Sequence, residues 1–185
     1  MTLLILGLVL WYVSHLEKRL APGLRASLGD NTAKIAVTVL SLLSVVLMVV
    51  GYRAADVSPV YTPLPGMGHV NNTLMLIAVF LFGVPHTKGI VKSTIRHPML
   101  TGTLIWAIAH LLVNGDLASI LLFGGIGVWS VLSMLLINAQ GPWNRPARGA
   151  IRSDLIGVAI TLVLYGIVAG IHIWLGHNPF VGTYG

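Results

Sequence analysis

The sequence predicts an all-α integral membrane bundle of about six transmembrane helices, and three observations carry that expectation. Hydrophobic residues fill 56% of the 185 positions and charged residues only 9%, against about 25% charged in a soluble globular domain. The mean hydropathy is +0.88, and the apolar residues fall in blocks near the roughly 20 residues that cross a bilayer as helix. The basic residues fall almost wholly in alternate loops. Residues 1–185 therefore read as a single membrane domain.

The first segment, residues 2–16, has no basic leader before it and no small-residue cleavage site after it, so it reads as a retained helix. It reaches spanning length only by including His15 and part of Glu17-Lys18-Arg19. The second segment covers residues 33–53. The loop after it, from Asp56 to Gly68, holds Pro59, Pro63, Pro65 and Gly66 and reads as irregular and external. The third segment, residues 72–85, is short. The fourth, residues 98–113, opens on Pro98, which suits the first helical turn, and stops at Asn114-Gly115, a C-cap pair. Asp116 is placed to cap a fifth segment, residues 117–138. So short a turn makes segments four and five an antiparallel pair. Asp154 reads as the cap of the sixth segment, residues 154–175. Gly124, Gly125 and Gly127, with Gly166 and Gly170, are small residues suited to close helix contact. Such faces would permit a homodimer as readily as internal packing.

Orientation follows from the loops. Lys18, Arg19, Arg25 and Lys34, then Lys88, Lys92 and Arg96, then Arg145, Arg148 and Arg152 lie on one side, which leaves Arg53 alone on the other. The positive-inside rule puts those three loops in the cytoplasm and both termini outside, on the periplasmic side in a bacterium. The net charge of +6 thus reflects orientation, and no nucleic acid partner is expected.

The chain has no cysteine, which excludes disulfides, thiolate metal sites and thiol nucleophiles. Glu17, Asp30, Asp56, Asp116 and Asp154 lie at segment ends or in loops, so a carboxylate dyad or a relay of buried acids is unsupported. The histidines are more informative. His69 and His177 fall in external loops, and His86 and His97 at the cytoplasmic boundary, where His97 could meet phosphates or a polar cofactor. His15, His110 and His172 lie within apolar sequence, where an ionisable side chain is costly without a partner. Gly102, Trp106 and His110, at i, i+4 and i+8, are expected on one helix face. Imidazoles on facing helices without thiolate or carboxylate suit haem iron. Zinc or copper would also accept neutral imidazole, and hydrogen bonding to a neighbouring helix is the structural alternative.

The run RHPMLTGTLIWAIAHLLVNGDLASILLFG, residues 96–124, closely resembles the signature of the NnrU family of bacterial membrane proteins. An early helix carrying Trp11 and His15, and the ending His172-Ile173-Trp174 with Gly182 beyond, fit the same family. That resemblance implies a multi-pass protein of the bacterial inner (cytoplasmic) membrane, linked to denitrification and nitric oxide metabolism. Plant ζ-carotene isomerases are similar to the family and are haem b enzymes that isomerise a polyene double bond. Their RHP followed thirteen residues later by Ala-His matches His97 and His110, and their early-helix histidine matches His15. The resemblance therefore implies haem b (iron) ligated by His15 and His110, with His172 as substitute. It leaves open a redox-dependent isomerase or a sensor, acting on an apolar small molecule or on nitric oxide. Arg96, His97, Gly102 and Trp106 are the expected cofactor-binding residues.

Two other functions fit parts of the sequence. RHP followed by a glycine also resembles the cytoplasmic cofactor motif of membrane methyltransferases, which would make the chain S-adenosylmethionine-dependent. A non-enzymatic membrane assembly factor, in which the histidines only pack, is the third reading.

Overall fold

The structure is a computed structural model that describes residues 1–183. Every named element in it is helical: α1 (Thr2–Leu20), α2 (Pro22–Leu28), α3 (Asp30–Arg53), α4 (Met67–Gly83), α5 (Pro98–Val113), α6 (Leu117–Ala139) and α7 (Ile151–Trp174). Four of these are long and apolar enough to cross a membrane: α3, α4 continued to His86, α6 and α7. α5 is apolar but only 16 residues long, and the 19 residues of α1 end on Glu17, Lys18 and Arg19.

Helix packing runs as a row: α3 lies on α1, α1 on α6, α6 on α5, α5 on α4 and α4 on α7. Small residues set the close approaches. At Gly7 and Gly51, α1 and α3 come so near that a methyl group at Gly51 would strike the Leu4 backbone. Gly127 meets Ala107 between α6 and α5, and Gly157 meets Phe80 between α7 and α4. The row ends, α3 and α7, carry broad exposed apolar faces such as Leu42, at 64%, and Val163, at 64%. In water such faces would be unstable; in a bilayer they meet lipid. The best-buried cluster joins Leu4 and Leu16 of α1, Met48 of α3 and Ile126 and Trp129 of α6.

Several elements depart from the sequence expectation. α2 is a short amphipathic turn that had read as loop, tied down by Arg25 bridging Glu17 at 2.8 Å and Asp30 at 2.7 Å. α4 starts earlier than residue 72, at Met67, and a 3₁₀ turn over Val84–His86 carries it to 20 residues. α7 starts at Ile151 with Ala150 before it, so Asp154 sits inside the first turn and is not the cap. Its carboxylate is 5% exposed and accepts from the backbone N–H of Ile90 at 2.7 Å. Asp116 does cap α6, accepting from Ser119 N–H at 3.0 Å. Gly124, Gly166 and Gly170 have nothing near them, so they are not contacts within this bundle. The external loop is irregular, as expected, and latches onto the α5–α6 turn. Gly115 O accepts from Val60 and Tyr61, and Tyr61 Oη donates to Asn114 O at 2.8 Å and to Leu111 O. A side chain at Gly115 would collide with the Tyr61 carbonyl.

Candidate functional site

The first turns of α6 do not continue as α-helix. Residues Ile120–Gly124 form a π-helical turn, which inserts an extra residue and re-aims the side chains beyond it. Tyr12 Oη, from α1, donates to Gly125 O at 2.6 Å just past it. Before it, Tyr52 Oη and Ser119 Oγ are bonded at 2.9 Å, so α3 anchors the same turn. The turn sends Phe123 towards α5, where its ring stacks on His110 with centroids 4.5 Å apart and meets Trp106 edge-on at 5.0 Å. π-turns of this kind recur at functional sites.

His15 has a parallel setting. Its ring stacks on Trp11 at 3.9 Å and meets Trp129 of α6 edge-on at 5.2 Å. Both histidines thus reach α6, at Phe123 and at Trp129. Those contacts are six residues apart, roughly 9 Å along the axis, so the structure holds the His15 and His110 rings at different levels. His172, on α7, lies within electrostatic reach of His110, both helices packing on α4.

The three histidines within apolar helices share one device. Nδ1–H donates to the carbonyl four residues back: His15 to Trp11 O at 2.9 Å, His110 to Trp106 O at 2.9 Å, His172 to Val168 O at 2.8 Å. At His15, Ser41 donates to Ser14 and Ser14 to the same Trp11 carbonyl, which leaves the imidazole as donor there too. The proton is therefore fixed on Nδ1, and Nε2 carries the lone pair, with no hydrogen bond to it among the described residues. Metal-bound histidines are oriented in this way. Among the described residues no three His, Cys, Asp or Glu side chains gather around a common point, so a zinc-type cage does not fit. By donor chemistry alone one such imidazole, or two, in apolar surroundings suits haem iron; neither of the two clefts is lined by one of these three histidines.

The remaining predicted residues divide. Gly102 faces α4, against Ala78, Leu81 and Phe82, while Trp106 and His110 face Phe123. Eight residues of α-helix advance about 80° beyond two full turns, enough to part Gly102 from His110. Arg96 and His97 lie at the other end of α5, far from Phe123, in a cleft of about 300 Å³ with Lys92, Pro98, Met99 and Trp143. Arg96 donates to Gly141 O at 2.7 Å and His97 Nε2 to Asn138 Oδ1 at 2.8 Å. A second cleft of about 550 Å³, lined by Ile5, Leu8, Val9, Tyr12, Leu121 and Gly125, opens between α1 and the π-turn. Sequence reasoning missed Phe123, Trp129 and the π-turn. A signal was present: Trp-x-x-x-His occurs twice, at Trp11–His15 and Trp106–His110.

A family model described as NnrU protein matches residues 3–179. No curated protein and no solved structure matches the chain.

Proposed function

This chain belongs to the NnrU family, and on that premise we propose that it is a haem b-binding protein of the bacterial inner membrane. Six helices cross the bilayer, α1 and α5 as the shorter two, with both termini on the periplasmic side and the three basic loops in the cytoplasm. The observation that carries the reading is the bare Nε2 of His110, its proton tied to Trp106 O at 2.9 Å inside an aromatic, water-excluding corner. His110 would hold the iron, together with His172 or His15. His172 lies within electrostatic reach of His110, and His15 is the one implied by likeness to the isomerases. Haem iron, when bound, would supply one-electron redox chemistry, and nitric oxide would reach it only by displacing one of the two histidines.

This chain's own residues do the rest. Trp106 and Phe123 exclude water, the backbone carbonyls fix the imidazole tautomers, and the groove between α1 and the π-turn admits an apolar guest beside Tyr12. A redox sensor or a polyene-type isomerase could be built on that arrangement, with a role in nitric oxide metabolism. The methyltransferase reading draws less support. S-adenosylmethionine carries a sulfonium cation, whereas the Arg96–His97 cleft presents Lys92 and Arg96 and no carboxylate.

The test is the absorption spectrum of detergent-purified protein, oxidised and reduced, beside H110A, H172A and H15A. A Soret band with sharp reduced bands, lost in H110A and in one other variant, is the expected result and names the pair. Protein expressed with haem supplied, folded by circular dichroism and lacking any Soret band, would overturn it. The histidines would then be packing groups, as in an assembly factor.

A further inference from the structure

We propose that the cleft at the start of α5 is a binding site for a phosphate-bearing anion, the headgroup of an anionic phospholipid being its source. The inference does not depend on haem. It rests on how the cations of this end of the molecule are held. In the first basic loop two of the four cations meet carboxylates: Arg25 pairs with Glu17 and Asp30, and Lys34 with Asp30 at 2.6 Å. Around the cleft no carboxylate does this. Lys92 Nζ donates to Pro85 O at 2.6 Å, Arg96 to Gly141 O at 2.7 Å and Arg145 to Ser93 O at 2.5 Å, so all three are fixed by neutral carbonyls. Asp154, on the first turn of α7, is buried and directs its carboxylate to the Ile90 N–H. Positive charge is thus fixed in place and left without a counterion.

The cleft has the dimensions and lining for such a ligand. Its volume of about 300 Å³ lies at the lower end of small-ligand sites. Lys92 and Arg96 line it, with N–H donors left over after their single carbonyl bonds. His97 lines it too, and α5 begins there with no side-chain cap. Met99 and Trp143 supply an apolar wall, with the Arg145 guanidinium 5.8 Å from the Trp143 ring centroid. A pocket that is basic on one side and apolar on the other, at helix ends, matches a lipid phosphate with the start of its acyl chains. Basic pockets between helices bind anionic headgroups in this way.

Full-length protein in phosphatidylcholine nanodiscs, with and without phosphatidylglycerol, tests this by native mass spectrometry. Wild type is expected to retain phosphatidylglycerol in preference to phosphatidylcholine. K92Q and R96Q each lower that retention about tenfold, the loss of one charge-assisted hydrogen bond. R148Q, which lies outside the cleft lining, keeps it. A parallel melting series with inorganic phosphate separates the sources. Stabilisation by phosphate that is absent in K92Q and R96Q, with no lipid preference, keeps the phosphate site and assigns it to a soluble ligand. Neither response, or responses unchanged in both variants, overturns the proposal. Should R96Q fail to fold, K92Q carries the same comparison.

Discussion

Asp154 offers the sharpest test of the packing. It is 5% exposed, and its Oδ2 accepts from Ile90 N–H at 2.7 Å and, more weakly, from Val91 N–H at 3.4 Å. Oδ1 is buried against Gly89 and has no partner. The side chain therefore clamps the loop between α4 and α5 onto the first turn of α7. In Asp154→Ala the Ile90 N–H loses its charged acceptor, a cost of about 1.5–3 kcal/mol. Relief of the half-satisfied buried carboxylate offsets part of that, which leaves a net loss of about 1–2 kcal/mol. For a chain of this size each kcal/mol is worth roughly 2–4 °C, so Tm falls by about 2–8 °C in a detergent melt followed by circular dichroism. Hydrogen exchange at residues 88–93 speeds up in the same variant. Asp154→Asn retains an acceptor oxygen and falls between the two. A Tm for Asp154→Ala within about a degree of wild type, with exchange at Ile90 unchanged, would refute the clamp.

Three further outcomes are expected. Phe123→Ala empties the space beside His110 and Trp106, and deletion of a buried Phe costs about 3–5 kcal/mol; a melt and the tryptophan fluorescence spectrum both report it. Gly115→Ala drives a methyl group into the Tyr61 carbonyl, so exchange at Val60 and Tyr61 rises several-fold while the helices stay protected. Asp116 is the pH-sensitive cap. Burial works to raise its carboxyl, but the hydrogen bonds from Ser119 outweigh that and hold it below the usual carboxylate range. A depressed folded-state value stabilises above the unfolded value and is lost as pH falls through the folded one. The stability gap between wild type and Asp116→Ala, about 1 kcal/mol for a lost cap, is therefore full at neutral pH and closes below about pH 4. Melts from pH 3 to pH 7 check it.

The sequence by itself determined the helices, because membrane spans are written in local quantities: length, hydropathy and charge at the ends. Residues 98–113 and the Asp116 cap were legible to the residue, Pro98, Asn114 and Gly115 being local signals. The short α5–α6 turn likewise made those two helices neighbours. Three intramembrane histidines could be singled out for the same reason, each being a polar group in an apolar run. What only the tertiary structure decided was who meets whom. Hydropathy is nearly uniform around these helices, so it does not say which face packs, and the row from α3 to α7 had no sequence signature. The π-turn that delivers Phe123 to His110 is held by Tyr12 and Tyr52 from distant helices. Asp154 read as a local cap because Asp favours that role, yet its partner is Ile90, 64 residues away. The cations of the second and third basic loops counted equally with those of the first in sequence. Only the fold shows that Arg25 and Lys34 of the first set are paired with carboxylates while Lys92, Arg96 and Arg145 are held by neutral carbonyls, because pairing depends on proximity that composition does not encode.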